Sequence, residues 1–108
     1  MTKAKYFIDV GAASDAYYTI RACKLNPSIK IIAIEPLLIE YKYMLRNIAL
    51  NSCTHNVIPL NIALSSTEGT ITVSGQEIPC TTIDTLVQKL RLPCIDVVKI
   101  DVEGAEPK

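Results

Sequence analysis

Polar groups suited to chemistry occur at four places along this chain: Asp9-Val10-Gly11, Glu35, Asn61, and Asp101 with Glu103 close behind. Each follows an apolar run that has no packing reason to end in such a group. A carboxylate such as Glu35 can accept both hydrogen bonds of a ribose diol. Gly11 lets backbone approach a ligand closely where a side chain would intrude. Taken alone, Glu35 reads equally well as an ordinary strand-end acid leading into a helix. Together with Asp9-x-Gly11, one strand-helix-strand unit upstream, it points to a nucleoside site. A phosphate ligand fits poorly. Gly11-Ala12-Ala13-Ser14-Asp15-Ala16 holds only the first glycine of a dinucleotide fingerprint, and Asp15 would repel a pyrophosphate at a helix N-terminus. No P-loop pattern occurs, and a nicotinamide-dependent oxidoreductase would need the missing glycines. A ligand with an adenosine group and a positive centre suits an acidic rim better, and S-adenosylmethionine is one.

These groups can meet only if the elements before them are parallel strands. Tyr6–Val10 is a β-rich run closed by Gly11, and Ser14 is a candidate cap for the helix that follows. In that helix Ala16, Tyr17, Ile20 and Cys23 recur at helical spacing, and Asn26-Pro27 ends it. Lys30–Glu35 is nearly continuous in apolar residues, as expected of a strand buried on both faces. Pro36 suits the first turn of a second helix. Its expected stripe is Leu37, Leu38, Tyr41, Met44, Leu45, Ile48 and Ala49. Val57–Ile62 reads as a third strand that Pro59 confines to a sheet edge or a bulge.

Glu68-Gly69 marks a turn before the short alternating strand Thr70–Val73, part of a hairpin-like excursion. Thr82 caps a helix with Ile83, Leu86, Val87 and Leu90 on one face and Asp84 in its first turn. Ile95–Ile100 is the fourth main strand. This order predicts an α/β fold, a parallel sheet with crossover helices, whose ligands bind beyond the carboxyl ends of the strands.

Composition narrows the function classes. The chain has 108 residues, of which 49% are apolar and 20% charged, which is globular and fits one domain. Eleven basic residues balance eleven acidic ones, so no electrostatic footprint for nucleic acid or an anionic membrane exists. No apolar run approaches the roughly 20 residues that span a bilayer, and the N-terminus lacks a signal-peptide stretch. A cytoplasmic protein is expected. Cys23, Cys53, Cys80 and Cys94 contain no CxxC pair, and His55 completes no zinc pattern, so no metal is expected. Free, buried thiols are the expectation rather than disulfides. Cys53 with His55 as a nucleophilic pair is a remote alternative, His55 being expected in a turn between a helix and a strand.

The blocks FIDVGAASDAYYTI, IIAIEPLLIEYKYMLRNIALN, NVIPLNIALSSTEGTI, TTIDTLVQKL and IDVVKIDVEGAE resemble those of the FkbM-type methyltransferase family. KIDVEGAE is the most specific block, and the resemblance runs from Tyr6 to Lys108. It implies a Rossmann-like methyltransferase fold that uses S-adenosyl-L-methionine, often to methylate hydroxyl groups of small molecules or glycans. By resemblance, Asp9 and Gly11 line the methionine end of the cofactor, and Glu35 holds the ribose. Asn61 and Ala63 lie where adenine sits, while Asp101 and Glu103 face the methyl group and the acceptor. In this fold the third strand is an edge strand, which accounts for Pro59.

Two features depart from the family pattern. Ala13 stands where an asparagine is usual and Asp15 where a second glycine is usual, so Asp15 either obstructs the methionine moiety or pairs with its ammonium group. The family also continues past the EGAE block. Residues 1–108 are therefore expected to be a partial domain, the S-adenosylmethionine-binding half, truncated after the fourth main strand. The alternative to an enzyme is a non-catalytic remnant or partner-binding half-domain. An unpaired fourth strand would present an apolar edge, through which self-pairing would give a homodimer.

Overall fold

The computed structural model describes residues 6–12, 16–92 and 97–100. Its elements follow the chain as β1 (Tyr6–Val10), α1 (Tyr17–Leu25), β2 (Lys30–Ile34), α2 (Leu38–Leu50) and β3 (Val57–Leu60). Then come β4 (Ala63–Leu64), β5 (Gly69–Val73), β6 (Gln76–Thr81), α3 (Ile83–Leu90) and β7 (Val97–Ile100). The main sheet is parallel in the order β3-β2-β1-β7. This is the expected α/β architecture of a Rossmann-like fold. The chain steps outward from β1 to β3, then returns to lay β7 on the other side of β1. The strand order thus reverses between β1 and β7.

Alternating residues of the central strands feed two cores. Phe7, Ile31 and Ala33 pack with Cys23 of α1 and with Met44 and Ile48 of α2. On the opposite face Ile8, Val10, Ile32 and Ile34 pack with Leu86, and partly buried Leu90 joins them from α3. Burial on both faces accounts for the unbroken apolar run of β2. Pro59 lies in β3, an edge strand among the described residues, where its missing N–H breaks no ladder bond. No helix among the described residues is long and apolar enough to cross a membrane.

Several local expectations are corrected. Helix α1 starts at Tyr17 with Ala16 at its N-cap position, in the left-handed region at φ 51° and without a side-chain cap. Ser14, the expected cap, lies outside the described residues. Ala16 is fully buried, so it joins the core at the entry to α1. The buried face of α1 carries Thr19 and Cys23, while Tyr17 is 54% exposed. Pro36 precedes α2 instead of occupying its first turn, with Leu37 extended at the N-cap. The stripe of α2 is narrower than expected. Met44 and Ile48 are buried and Tyr41 partly so, whereas Leu38, Leu45 and Ala49 are exposed.

The excursion is larger than one strand. β5 and β6 form an antiparallel hairpin, and β4 adds in parallel to β6. Ser74 and Gly75 link the hairpin strands, both at positive φ (50° and 78°), as a two-residue turn matched to strand twist requires.

The expectation of free thiols fails for two cysteines. Cys23 and Cys53 form a disulfide with Cα atoms 6.1 Å apart, joining α1 to the turn after α2. Both positions are buried under the same face of the sheet, where the fold brings them together. Cys80 is free and buried, and Cys94 lies outside the described residues. With Cys53 bonded to Cys23 and His55 exposed in a 3-10 turn, the pair cannot act as a nucleophile and base.

Candidate functional site

The strand register aligns the last residues of the four strands. Leu60 pairs with Ile34, Ile34 with Val10, and Val10 with Ile100, so these residues form one row across the sheet. The next residues in sequence are Asn61, Glu35, Gly11 and Asp101. The row ends at the carboxyl edge of the sheet, where strand order reverses between β1 and β7. Open parallel sheets bind ligands at such a point. Asp101 and Glu103, like Ala13 and Asp15, lie outside the described residues.

Backbone and side-chain bonds knit the rim into one unit. Gly11 has φ 75°, a conformation that glycine adopts without strain. This turn aims the N–H groups of Gly11 and Ala12 at the carbonyl of Ile34, at 2.8 and 3.0 Å. Glu35 N–H in turn donates to the carbonyl of Leu60 at 3.0 Å. Gly11, Ala12 and Glu35 are therefore tied to the ends of the neighbouring strands.

Glu35 is only 5% exposed, and its Oε2 accepts the N–H of Leu37 at 3.0 Å. A carboxylate offers about four acceptor directions, so this bond is compatible with accepting a diol as well. Asn61 stands beside it. Its Nδ2 donates to the carbonyls of Glu35 (2.8 Å) and Pro36 (3.0 Å). Ala63 is buried with Ile78 and Cys80 in the core of the small sheet, against partly buried Leu37. Asn61 and Ala63 thus flank the Glu35–Leu37 corner from the β3 side.

Asp9 is fully buried on the face of the sheet covered by α1, and its Oδ2 accepts the Thr19 hydroxyl at 2.7 Å. It anchors α1 to β1 and so fixes both ends of the loop that carries Gly11. Thr19 has no place in the sequence reading. The available signal is its spacing, since Ala16, Thr19 and Cys23 follow i, i+3 and i+7 and set one hydroxyl within an otherwise apolar stripe. Among the described residues no group of three or more His, Cys, Asp or Glu side chains could hold a metal ion.

A second carboxylate, Glu68, binds the entrance of α3. It accepts the Thr81 hydroxyl at 2.8 Å and the Thr82 N–H at 3.0 Å. Hydrogen bonds from Thr81, Thr82 and Thr85 hold its pKa below the ordinary value, against a small opposing effect of burial. Its side chain is solvent-exposed, and its partners all belong to the hairpin and the start of α3.

Residues 9–107 match the family described as "Methyltransferase FkbM domain". No curated protein matches the chain significantly in sequence. Among solved structures, the METTL16 MTase domain (crystal form 2) superposes with a TM-score of 0.70 at 13% identity, covering 97% of this chain and 35% of that one. The structure described as "Human methyltransferase 10 domain containing protein" gives 0.54 at 18% identity, over 57% of this chain and 29% of that chain. The N-terminal domain of human METTL16 in complex with SAH gives 0.53 at 18% identity, over 56% and 23%. At these identities the likeness is one of fold, and the chain spans well under half the length of each of these structures.

Proposed function

Because the chain belongs to the FkbM methyltransferase family, we propose that its rim binds S-adenosylmethionine and directs methyl transfer to a hydroxyl oxygen of a small molecule or glycan. The observation that carries this reading is the buried Glu35 carboxylate, fixed by Leu37 N–H at the end of β2, beside Gly11 at the end of β1. A ribose diol supplies two donors of the right kind, so the residues present suit an adenosyl ligand.

When bound, S-adenosylmethionine supplies an electrophilic methyl group on a positively charged sulfur. Glu35 accepts the ribose hydroxyls, and Asn61 and Ala63 border the adenine side. Gly11 lets the first loop approach the methionine portion, with Asp9 fixing that loop through Thr19. Asp101 and Glu103 would face the acceptor, one of them orienting its hydroxyl or taking its single proton as the methyl passes to oxygen and S-adenosylhomocysteine leaves. Transfer of this kind depends more on in-line placement than on a strong base, so positioning is the larger part of their role. Balanced charge supports a neutral acceptor over nucleic acid.

Calorimetric titration with S-adenosylhomocysteine tests the reading directly. Saturable one-to-one binding, weakened by Glu35→Gln, is the expected result. Absence of heat and of thermal shift at millimolar ligand would overturn it in favour of a non-catalytic, partner-binding half-domain. Radiolabelled methyl transfer to saccharide and small-molecule hydroxyls, compared with an RNA acceptor, then tests the substrate class.

A further inference from the structure

We infer that Asn61 is a positioning residue that acts through Glu35 and makes the site selective for the ribose hydroxyls. The inference rests on the nucleoside reading above but assigns Asn61 a role other than contact with adenine. The corner between β2 and α2 has to turn a strand into a helix within three residues, Glu35, Pro36 and Leu37. Pro36 has no N–H and fixes its own φ, leaving the ψ angles of Glu35 and Pro36 as the freedom to be removed. The Asn61 amide removes it, because a single Nδ2 donates to the carbonyls of both residues at 2.8 and 3.0 Å. Two successive carbonyls facing one donor define the path of the corner.

That path sets the side chain. Glu35 N–H is tied to Leu60 O on one side, and the Glu35 carboxylate is tied to Leu37 N–H on the other. If the Pro36 carbonyl swings away from Asn61, the Leu37 N–H of the same peptide turns with it and the carboxylate loses the bond that orients it, and the Glu35 carbonyl bond holds the preceding peptide from which that one is built. Both donor hydrogens of the Asn61 amide nitrogen are committed to this bracket. The amide side of Asn61 is therefore directed at backbone, and its effect on a ligand passes through the neighbouring acid. Asn suits this task because it carries two donors on one atom at a short tether. An aspartate of the same shape would place acceptors against two carbonyls.

The test compares S-adenosylhomocysteine with its 2′-deoxy analogue, by calorimetry, on the full chain and on Asn61→Ala, Asn61→Asp, Glu35→Gln and the double variant Asn61→Ala/Glu35→Gln. Asn61→Ala is expected to weaken S-adenosylhomocysteine about tenfold, in line with the loss of one to two hydrogen bonds' worth of orientation. It should change binding of the deoxy analogue by less than about twofold, and the double variant should bind within about twofold of Glu35→Gln. Asn61→Asp should be no better than Asn61→Ala. If Asn61→Ala fails to fold, Asn61→Ser, which retains one donor, reports the same ratio between the two ligands. Equal losses for both ligands, or losses that add to those of Glu35→Gln, would overturn the inference and leave a contact with adenine or a purely structural role. Failure of the unaltered chain to bind S-adenosylhomocysteine would instead overturn the nucleoside reading itself.

Discussion

Two helices in this molecule begin at corners closed by a glutamate, and the corners are built differently. At α3, Thr82 is a side-chain N-cap that accepts the Thr85 N–H at 3.1 Å, and exposed Glu68 adds a bond to the Thr82 N–H. At α2, Leu37 occupies the N-cap position and offers no side-chain acceptor. The backbone there is secured from outside the helix, by buried Glu35 and by Asn61 of the neighbouring loop. The α3 corner follows local capping rules and needs no ligand to explain it. The α2 corner departs from them and places an acid in the interior, held by the Leu37 N–H. Places where local rules are broken and compensated by long-range contacts are where function is expected.

The disulfide sharpens this contrast most strongly. Cys23 and Cys53 close a segment, of sequence separation 30, that contains β2, the Glu35 corner and α2 but neither β6 nor α3. Cross-linking a loop of that size removes denatured-state entropy equivalent to about 3–4 kcal/mol in the chain-entropy account. Reduction, or Cys23→Ser with Cys53→Ser, should lower unfolding free energy by an amount of that order in urea titration. Hydrogen exchange should show lost protection concentrated in α1 and α2. A loss spread evenly to α3 would mean that the two corners share one cooperative unit.

Ligand binding should separate the corners next. Glu35→Ala removes a charged acceptor, a change worth about 1.5–3 kcal/mol, and should weaken S-adenosylhomocysteine about 10–100-fold in calorimetry. Glu68→Ala should leave that affinity unchanged. Equal effects would erase the distinction between a ligand-holding acid and a structural one.

How much of this is legible in the sequence follows the range of the interactions. Strand runs such as Lys30–Ile34 and the Thr82 cap are local signals, and so is the edge placement implied by Pro59. Gly11, Glu35 and Asn61 are legible as polar ends because each follows an apolar run, and the parallel register of β1, β2 and β3 sets those strand ends side by side. What depends on distant partners was not legible. Cys23 and Cys53 carry no pairing motif, and only the packing of α1 against the turn after α2 brings them together. The Asp9–Thr19 bond joins a strand to a helix in a way that periodicity alone does not mark. Strand β6 was hidden by its polar composition and by Pro79. It tolerates that proline because β4 pairs only with Cys80 and Thr81, leaving Pro79 without a partner on that side.

The smaller effects lie at the α3 corner. Thr82→Ala should cost about 1 kcal/mol of stability, the usual cost of a lost N-cap, measured by urea unfolding. Ligand affinity should be unaffected. The smallest effect is the pH dependence of Glu68. Its hydrogen bonds favour the ionised form in the folded state, so its folded pKa lies below the ordinary 4.5. The unfolded chain then binds more protons than the folded one between the two pKa values, and stability falls as pH falls through that window. The contribution is fully present above the ordinary value and lost below the folded one. Because the side chain is exposed, solvent and salt screen the interaction. The stability gap between the parent chain and Glu68→Gln should therefore be small at neutral pH, shrink on acidification below about pH 4.5, and shrink at high salt. A gap that persists unchanged below that pH would mean that Glu68 braces the corner through its shape and neutral hydrogen bonds rather than through its charge.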